Sequence, residues 1–115
     1  MSMKHYKKVL TIAGSDSGGG AGIQADIKTM SACGCYAMSA ITSITAQNTV
    51  GVSRIHNVPA DMVAAQIAAV LEDIGVDAVK LGMLPTEASV VAIAGLLKKY
   101  EVTNVVLDPV MVATS

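Results

Sequence analysis

The sequence predicts an α/β protein with a mostly parallel sheet flanked by helices in three layers. Apolar extended runs alternate along the chain with segments whose apolar residues recur at helical spacing, which is typical of parallel strands joined by helical crossovers. Hydrophobic residues make up 52% of the 115 residues, yet the aromatic residues are three tyrosines. The core must therefore be built from aliphatic side chains, as in helices layered on a parallel sheet. This length is enough for one domain with a single core.

The first strand is expected at residues 8–13, because Val9, Leu10 and Ile12 belong to a run that is apolar on both faces. A glycine-rich turn and a helical pattern follow. The turn contains Gly14, Gly18, Gly19, Gly20 and Gly22. The N–H groups of such a turn and of the helix start are expected to point into one concavity, which suits an anion or a polar ring.

Two well-known glycine motifs are excluded at this turn. A P-loop needs a lysine after its second glycine, but Gly19 is followed by Gly20 and Ala21. The dinucleotide fingerprint would require a glycine at Ile23. Three polar side chains in or just after the turn favour a ligand site over a merely tight turn: Asp16, Gln24 and Asp26.

Ile23, Ile27 and Met30 recur on one face and predict the first helix, which is expected to end at Gly34. Residues 36–45 form a second extended run, rich in isoleucine and threonine, and predict a strand. Residues 53–58 are either a short strand or an extended connection, because their periodicity is too brief to decide.

The second half of the chain repeats the alternation. Pro59 is well placed near the start of a helix that ends near Gly75. Strands are expected at 77–81 and 104–107, and between them Thr86 is the expected N-cap of a further helix. The apolar stripes of these two helices are Val63, Ile67, Val70, Leu71 and Ile74 in the first, and Val90, Ile93, Ala94 and Leu97 in the second.

Open α/β sheets place ligand contacts at the carboxyl ends of their strands. Gln47 offers a carbonyl acceptor beside an NH₂ donor, which matches an amino group next to a ring nitrogen. Asp26 can accept a hydrogen bond from a hydroxyl or an amino group, and Met83 and Val110 can supply an apolar wall. The strand tips that should converge in this way are residues 14–16, 47–49, 82–83 and 108–110.

Charge and composition exclude several partners. The net charge of −1 does not favour nucleic acid or an anionic membrane surface. No apolar run approaches ~18 residues and no signal-peptide pattern is present, so we expect a cytoplasmic protein without a membrane span. Cys33 and Cys35 are too close for an unstrained disulfide and too few for a metal site, so reduced thiols are expected. His5 and His56 are isolated from any obvious nucleophile.

Four segments together resemble the hydroxymethylpyrimidine/phosphomethylpyrimidine kinases of thiamin biosynthesis, which are members of the ribokinase-like superfamily. They are residues 13–29, 44–49 with Gly51, 79–83 and 106–115. The resemblance implies a transfer of the γ-phosphoryl group that depends on ATP and Mg²⁺. The acceptor would be the hydroxymethyl group of 4-amino-5-hydroxymethyl-2-methylpyrimidine, and then the phosphate of its monophosphate.

The same resemblance implies roles for individual positions. The pyrimidine ring would be held by the backbone of Gly14 and by Asp26 and Gln47, and lined by Met83 and Val110. Asp108 would lie near the phosphates and would act on Mg²⁺ through water. No residue is assigned here as a direct metal ligand or as a catalytic group.

Members of this family are more than twice as long as this chain. The resemblance therefore implies that residues 1–115 form the N-terminal, acceptor-substrate half of a ribokinase-like domain, with the nucleotide site and catalytic residues in a later part. We expect these 115 residues to lack kinase activity by themselves and the full-length form to be a homodimer. The alternatives are a pyridoxal kinase of the same superfamily and a non-catalytic module that binds the pyrimidine.

Overall fold

The computed structural model describes residues 6–108. Within that range the chain forms one five-stranded sheet and three helices, in an order that agrees with the alternation predicted from the sequence. The elements are β1 (Lys8–Asp16), α1 (Gly22–Ala32), β2 (Tyr36–Gln47), β3 (Val52–Asn57), α2 (Ala60–Asp73), β4 (Ala78–Leu81), α3 (Glu87–Lys99) and β5 (Val105–Leu107).

The first strand of the chain lies at the centre of the sheet, whose order is β3-β2-β1-β4-β5. β1 pairs in parallel with β2 and with β4, and β4 pairs in parallel with β5. The segment that the sequence left undecided is the strand β3, which pairs antiparallel with β2 and forms one edge. The mostly parallel α/β sheet predicted from the sequence is therefore confirmed.

The main core lies between one face of the sheet and two helices. The register sets Leu10 of β1 opposite Met38 of β2 and Val79 of β4. Val63 and Ile67 of α2 pack onto this face and are fully buried. Each such aliphatic side chain contributes about 1.5–3 kcal/mol by leaving water, so the apolar periodicity of β1, β4 and α2 is sufficient to hold this layer together.

The buried stripe of α3 differs from the predicted one at two positions. Ile93 and Leu97 are buried as expected, but Val90 is 45% exposed, Ala94 is exposed as well, and Ser89 is fully buried instead. Ser89 is tolerated there because its hydroxyl and its N–H both contact the side-chain oxygen of Thr86, at 2.9 and 3.1 Å. Thr86 is the N-cap of α3, as predicted.

α1 packs on the opposite face of the sheet, against β1 and β2, and completes the three layers. α1 is followed by Gly34 and α2 by Gly75, both with positive φ, as the sequence predicted for the ends of these helices. None of the helices in residues 6–108 is both long and apolar enough to cross a membrane.

β1 continues past its predicted end at residue 13 and reaches Asp16, so the true turn is shorter than the glycine pattern indicated. Between Ala13 and Ser15 the register with β2 shifts, because β2 carries one extra residue there. Such a bulge re-aims side chains at the end of a strand. Here it brings Ser43 of β2 against the backbone of Gly14, at the entrance to the candidate site.

Candidate functional site

A cleft of about 940 Å³ opens at the carboxyl ends of the strands. Backbone hydrogen bonds connect neighbouring strand tips at the base of this cleft. The N–H of Gly82 donates to the carbonyl of Ile12, and the N–H of Asp108 donates to the carbonyl of Leu81. Five residues predicted from the sequence line this cleft: Gly14, Asp26, Gln47, Met83 and Asp108. The sixth, Val110, lies outside the described residues.

Asp16 organises the glycine-rich turn. One oxygen of its carboxylate accepts from the N–H of Gly18 at 2.8 Å, and the other accepts from Gly20 at 3.1 Å and Ala21 at 2.9 Å. The residue is only 6% exposed. The expectation that these N–H groups point at a ligand is therefore wrong for these three, because the chain's own carboxylate already takes them.

The side chain of Gln24 forms two hydrogen bonds at the end of β1. Its side-chain carbonyl accepts from the N–H of Asp16 at 2.8 Å, and its NH₂ group donates to the hydroxyl of Ser15 at 2.7 Å. These two bonds use both ends of the amide. Gln24 thus holds the turn against β1, and both of its amide groups already have partners within the chain.

The backbone of Gly14 forms one wall of the cleft. Two close approaches require glycine in this region, one at Gly14 and one at Gly22. A Cβ at Gly14 would lie 2.7 Å from the hydroxyl of Ser43. Gly22 has a φ of +61°, and a Cβ on it would collide with the carbonyl oxygen of Gly14. Glycine at both positions lets α1 begin directly over the end of β1.

Gln47 lies at the end of β2, half-buried, with its backbone held by the turn. Its N–H donates to the hydroxyl of Ser17 at 2.7 Å, and that hydroxyl donates back to the carbonyl of Gln47 at 2.6 Å. The hydroxyl of Thr45 lies 3.1 Å from the side-chain carbonyl oxygen. Within residues 6–108 the NH₂ group of Gln47 has no hydrogen-bond partner, so it is available to a ligand.

Asp26 projects from α1 into a small charged cluster. Lys80 donates to both of its carboxylate oxygens, at 2.9 and 2.8 Å, and the buried hydroxyl of Thr11 donates to one of them at 2.6 Å. The Lys80 ammonium also lies 3.3 Å from the carboxylate of Asp108. Asp26 and Asp108, both predicted as site residues, thus lie close to the same lysine. Lys80 itself was not predicted as a site residue.

A signal for Lys80 was present in the sequence. A lysine in a four-residue strand between the apolar residues Val79 and Leu81 must point to the face opposite the core. What the pattern could not indicate is which acids lie on that face, since this depends on the pairing of Lys80 with Thr11 and on the position of α1.

Apolar side chains form the rim of the cleft. Met83 follows β4 and is 65% exposed, while Val52 and Ile55 reach the cleft from β3 on the other side. Such walls with a few convergent polar groups are typical of small-molecule sites. Among residues 6–108 there is no group of three acidic, histidine or cysteine side chains that could hold a metal ion. Asp108, with its side chain 59% exposed, fits only a contact with a hydrated ion.

A model of the phosphomethylpyrimidine kinase family matches residues 16–115. The chain is 57% identical over 106 residues to a hydroxymethylpyrimidine/phosphomethylpyrimidine kinase of Rhizobium meliloti. The aligned region covers 92% of this chain and 40% of that protein. It also matches a crystal structure of phosphomethylpyrimidine kinase from Clostridium difficile, with a TM-score of 0.89 and 52% identity over 94% of this chain and 47% of that one.

A second solved structure is an ADP complex of pyridoxal kinase from Bacillus subtilis. The TM-score is 0.84 and the identity 45%, over 96% of this chain and 42% of that one. These matches confirm the ribokinase-like α/β fold that the sequence predicted. The chain spans less than half the length of each of these three proteins.

Proposed function

Because this chain belongs to the phosphomethylpyrimidine kinase family, we propose that it forms the acceptor-binding part of a kinase of thiamin biosynthesis. That kinase transfers the γ-phosphoryl group of ATP to 4-amino-5-hydroxymethyl-2-methylpyrimidine and to its monophosphate. The observation that carries the proposal is the convergence of Gly14, Asp26, Gln47, Met83 and Asp108 on one cleft.

Gln47 is proposed to bind the amino edge of the pyrimidine. Its carbonyl oxygen accepts from the 4-amino group while its NH₂ group donates to the neighbouring ring nitrogen. The two hydrogen bonds with Ser17 support this role, because they fix the backbone from which the amide reaches into the cleft. A backbone fixed in advance loses less conformational entropy on binding.

With the amino edge on Gln47, the hydroxymethyl group is left for Asp26. This placement is supported by the Lys80 ammonium, which contacts both Asp26 and Asp108. Asp108 is the residue proposed to face the phosphates, so the carboxylate nearest to it suits the hydroxyl that must accept one. The backbone of Gly14 and the side chains of Met83 and Val110 are proposed to enclose the ring.

ATP and Mg²⁺ are the proposed co-substrate and cofactor. The ADP complex of the Bacillus subtilis pyridoxal kinase supports a nucleotide. When bound, Mg²⁺ neutralises the charge that develops on the transferred phosphate. Asp108 would contact it through water, as Mg²⁺ retains several waters in most protein sites.

We further propose that these 115 residues transfer no phosphate by themselves. The turn of this chain resembles a phosphate-binding loop only in composition, because Asp16 already accepts from the N–H groups of Gly18, Gly20 and Ala21. The test is incubation with ATP, Mg²⁺ and the pyrimidine alcohol, followed by ³¹P NMR. Formation of a monophosphate above the protein-free control would contradict this proposal.

The acceptor assignment is tested by calorimetry with the pyrimidine alcohol and with pyridoxal. We expect the pyrimidine to bind more tightly, since pyridoxal lacks an amino group next to a ring nitrogen. Tighter binding of pyridoxal would favour the second candidate, a pyridoxal kinase, which the 45% identity to such an enzyme supports. Binding of the pyrimidine by a full-length form that shows no turnover would favour a non-catalytic module.

A homodimeric full-length form and a cytoplasmic location are also proposed. The homodimer is proposed from the resemblance to the family, whereas the exposed edge strand β5, with Leu107 at 70%, favours association of the 115 residues themselves. The free thiols of Cys33 and Cys35 are typical of a reducing compartment. Sedimentation equilibrium of the full-length form tests the first proposal, and a monomer at micromolar concentration would contradict it.

A further inference from the structure

Lys80 is a charged residue placed inside the sheet. Its neighbours Val79 and Leu81 are buried in the core, and Lys80 itself pairs with the fully buried Thr11 of β1. Its side chain is only 17% exposed and that of Asp26 only 16%. A lysine in such a position is seldom retained without a partner, because removing an ammonium from water is costly.

The ammonium group of Lys80 contacts two carboxylates. Two of its hydrogen bonds reach the two oxygens of Asp26, at 2.9 and 2.8 Å, and Asp108 forms an ion pair with it at 3.3 Å. Thr11 adds a bond of 2.6 Å to the same carboxylate. Three of the approximately four acceptor positions of the Asp26 carboxylate are therefore filled by the protein, and about one is left for the cleft.

We propose that Lys80 is a positioning and specificity-determining residue, which fixes the Asp26 carboxylate as an acceptor aimed at a hydroxyl donor of the ligand. This inference rests on the proposed function for the identity of the ligand. A carboxylate that is paired with an ammonium and cannot turn favours a ligand that donates a hydrogen bond. It gives nothing to a ligand with a methyl group at that point, since one acceptor position then remains unpaired.

The positioning part is tested without any ligand, in the isotope-labelled 115-residue protein. Three-bond couplings measured by NMR report the χ1 rotamer of Asp26. We expect one rotamer in the native protein, averaging in Lys80→Met, which keeps the length and packing of the side chain, and a single rotamer again in Lys80→Arg. The matched control is Lys98→Met, on the exposed end of α3. A single Asp26 rotamer in Lys80→Met would overturn the inference.

A second measurement covers the case in which Lys80→Met fails to fold. In the native protein the ammonium protons of Lys80 should exchange with water much more slowly than those of Lys98, because they are held by Asp26. In Asp26→Asn this protection should fall by at least tenfold. Equal exchange for the two lysines in the native protein would also overturn the inference.

The specificity part is tested by calorimetry with the pyrimidine alcohol and with 4-amino-2,5-dimethylpyrimidine, which lacks the hydroxyl. Lys80→Met should weaken binding of the alcohol by about tenfold to 100-fold, the usual range for a hydrogen bond to a charged group, and binding of the dimethyl compound by less than threefold. Lys80→Arg should recover most of the difference.

Equal losses for both compounds would show a purely structural lysine and would overturn the specificity role. If the native protein bound neither the alcohol nor the dimethyl compound, the proposed function and the specificity role would both be overturned. The rotamer measurement decides the positioning role in either case, so that the two failures remain distinguishable.

Discussion

The hydroxyl of Ser17 forms two hydrogen bonds with the backbone of Gln47, accepting from its N–H at 2.7 Å and donating to its carbonyl at 2.6 Å. Thirty residues separate the two along the chain. This pair closes the glycine-rich turn over the end of β2. It also fixes the backbone from which the Gln47 amide reaches into the cleft.

Substitution Gln47→Glu should weaken binding of 4-amino-5-hydroxymethyl-2-methylpyrimidine by at least about tenfold, because a carboxylate cannot donate to the ring nitrogen and leaves it unpaired. Calorimetry measures the loss. The control ligand is the analogue with CH in place of that ring nitrogen, whose affinity should change less because it has no acceptor to leave unpaired. An unchanged affinity for the amino compound would refute the role of Gln47.

Substitution Asp16→Ala should lower the free energy of unfolding by about 3 kcal/mol, since three backbone N–H groups of the turn lose a charged acceptor. Urea denaturation measures the change. Asp73→Ala, at an exposed position in the last turn of α2, should stay within about 0.5 kcal/mol of the native protein. If the two variants were equally stable, the Asp16 contacts would contribute nothing to the fold.

Substitution Gly22→Ala should destabilise the protein by at least about 2 kcal/mol, because alanine resists a positive φ and its methyl group would meet the Gly14 carbonyl. Gly95→Ala is the matched control. Gly95 lies within α3 with open space around it, so alanine there should stabilise the protein by about 0.5–1 kcal/mol. Thermal or urea unfolding of both variants would reveal opposite signs. A stabilising effect at Gly22 would be inconsistent with the structure.

The phenol of Tyr100 should titrate at higher pH than the phenol of a free tyrosine. Its hydroxyl donates to the carboxylate of Glu72 at 2.7 Å, and this hydrogen bond, with smaller effects of burial and of the Glu72 charge, raises the pKa of Tyr100 above 10.0. The pair therefore stabilises the fold fully below pH about 10, and its contribution is lost as the pH rises through the higher folded-state value.

Absorbance at 295 nm, compared between the native protein and Tyr100→Phe, isolates this titration. In Glu72→Gln the pKa of Tyr100 should fall back towards 10. A titration of Tyr100 that did not respond to Glu72→Gln would exclude the hydrogen bond as its cause.

Elements with a strong apolar pattern were predictable from the sequence, because the burial of their apolar side chains determines their structure. The apolar run of β1 and the helical repeat of α2 place Leu10, Val63 and Ile67 together in one buried core. β3 was not decided, because all six of its residues are exposed and an edge strand without a buried face leaves no periodic signal. Val90 was predicted to be buried and Ser89 was not, because Ser89 is polar and its burial depends on hydrogen bonds with Thr86 that the apolar pattern does not show.

The candidate site was predictable as a set of strand tips, but its internal bonds were not. The sequence identified Asp16, Gln24 and Asp26 as polar residues near a turn. It could not indicate that the Asp16 carboxylate accepts hydrogen bonds from its own turn while the Asp26 carboxylate faces the cleft. This difference depends on the path of the backbone after Ser17. Lys80 was missed because its partners, Asp26 of α1 and Asp108 after β5, lie far from it along the chain.

The central place of β1 bears on how the chain assembles during synthesis. The ribosome delivers this strand, which contains the apolar residues Leu10 and Ile12, before either of its two neighbours in the sheet, β2 and β4. Until both arrive, the nascent chain carries a strand with two open edges, which other chains can pair with. Slower production at lower temperature, which lowers the concentration of such incomplete chains, should therefore raise the soluble yield.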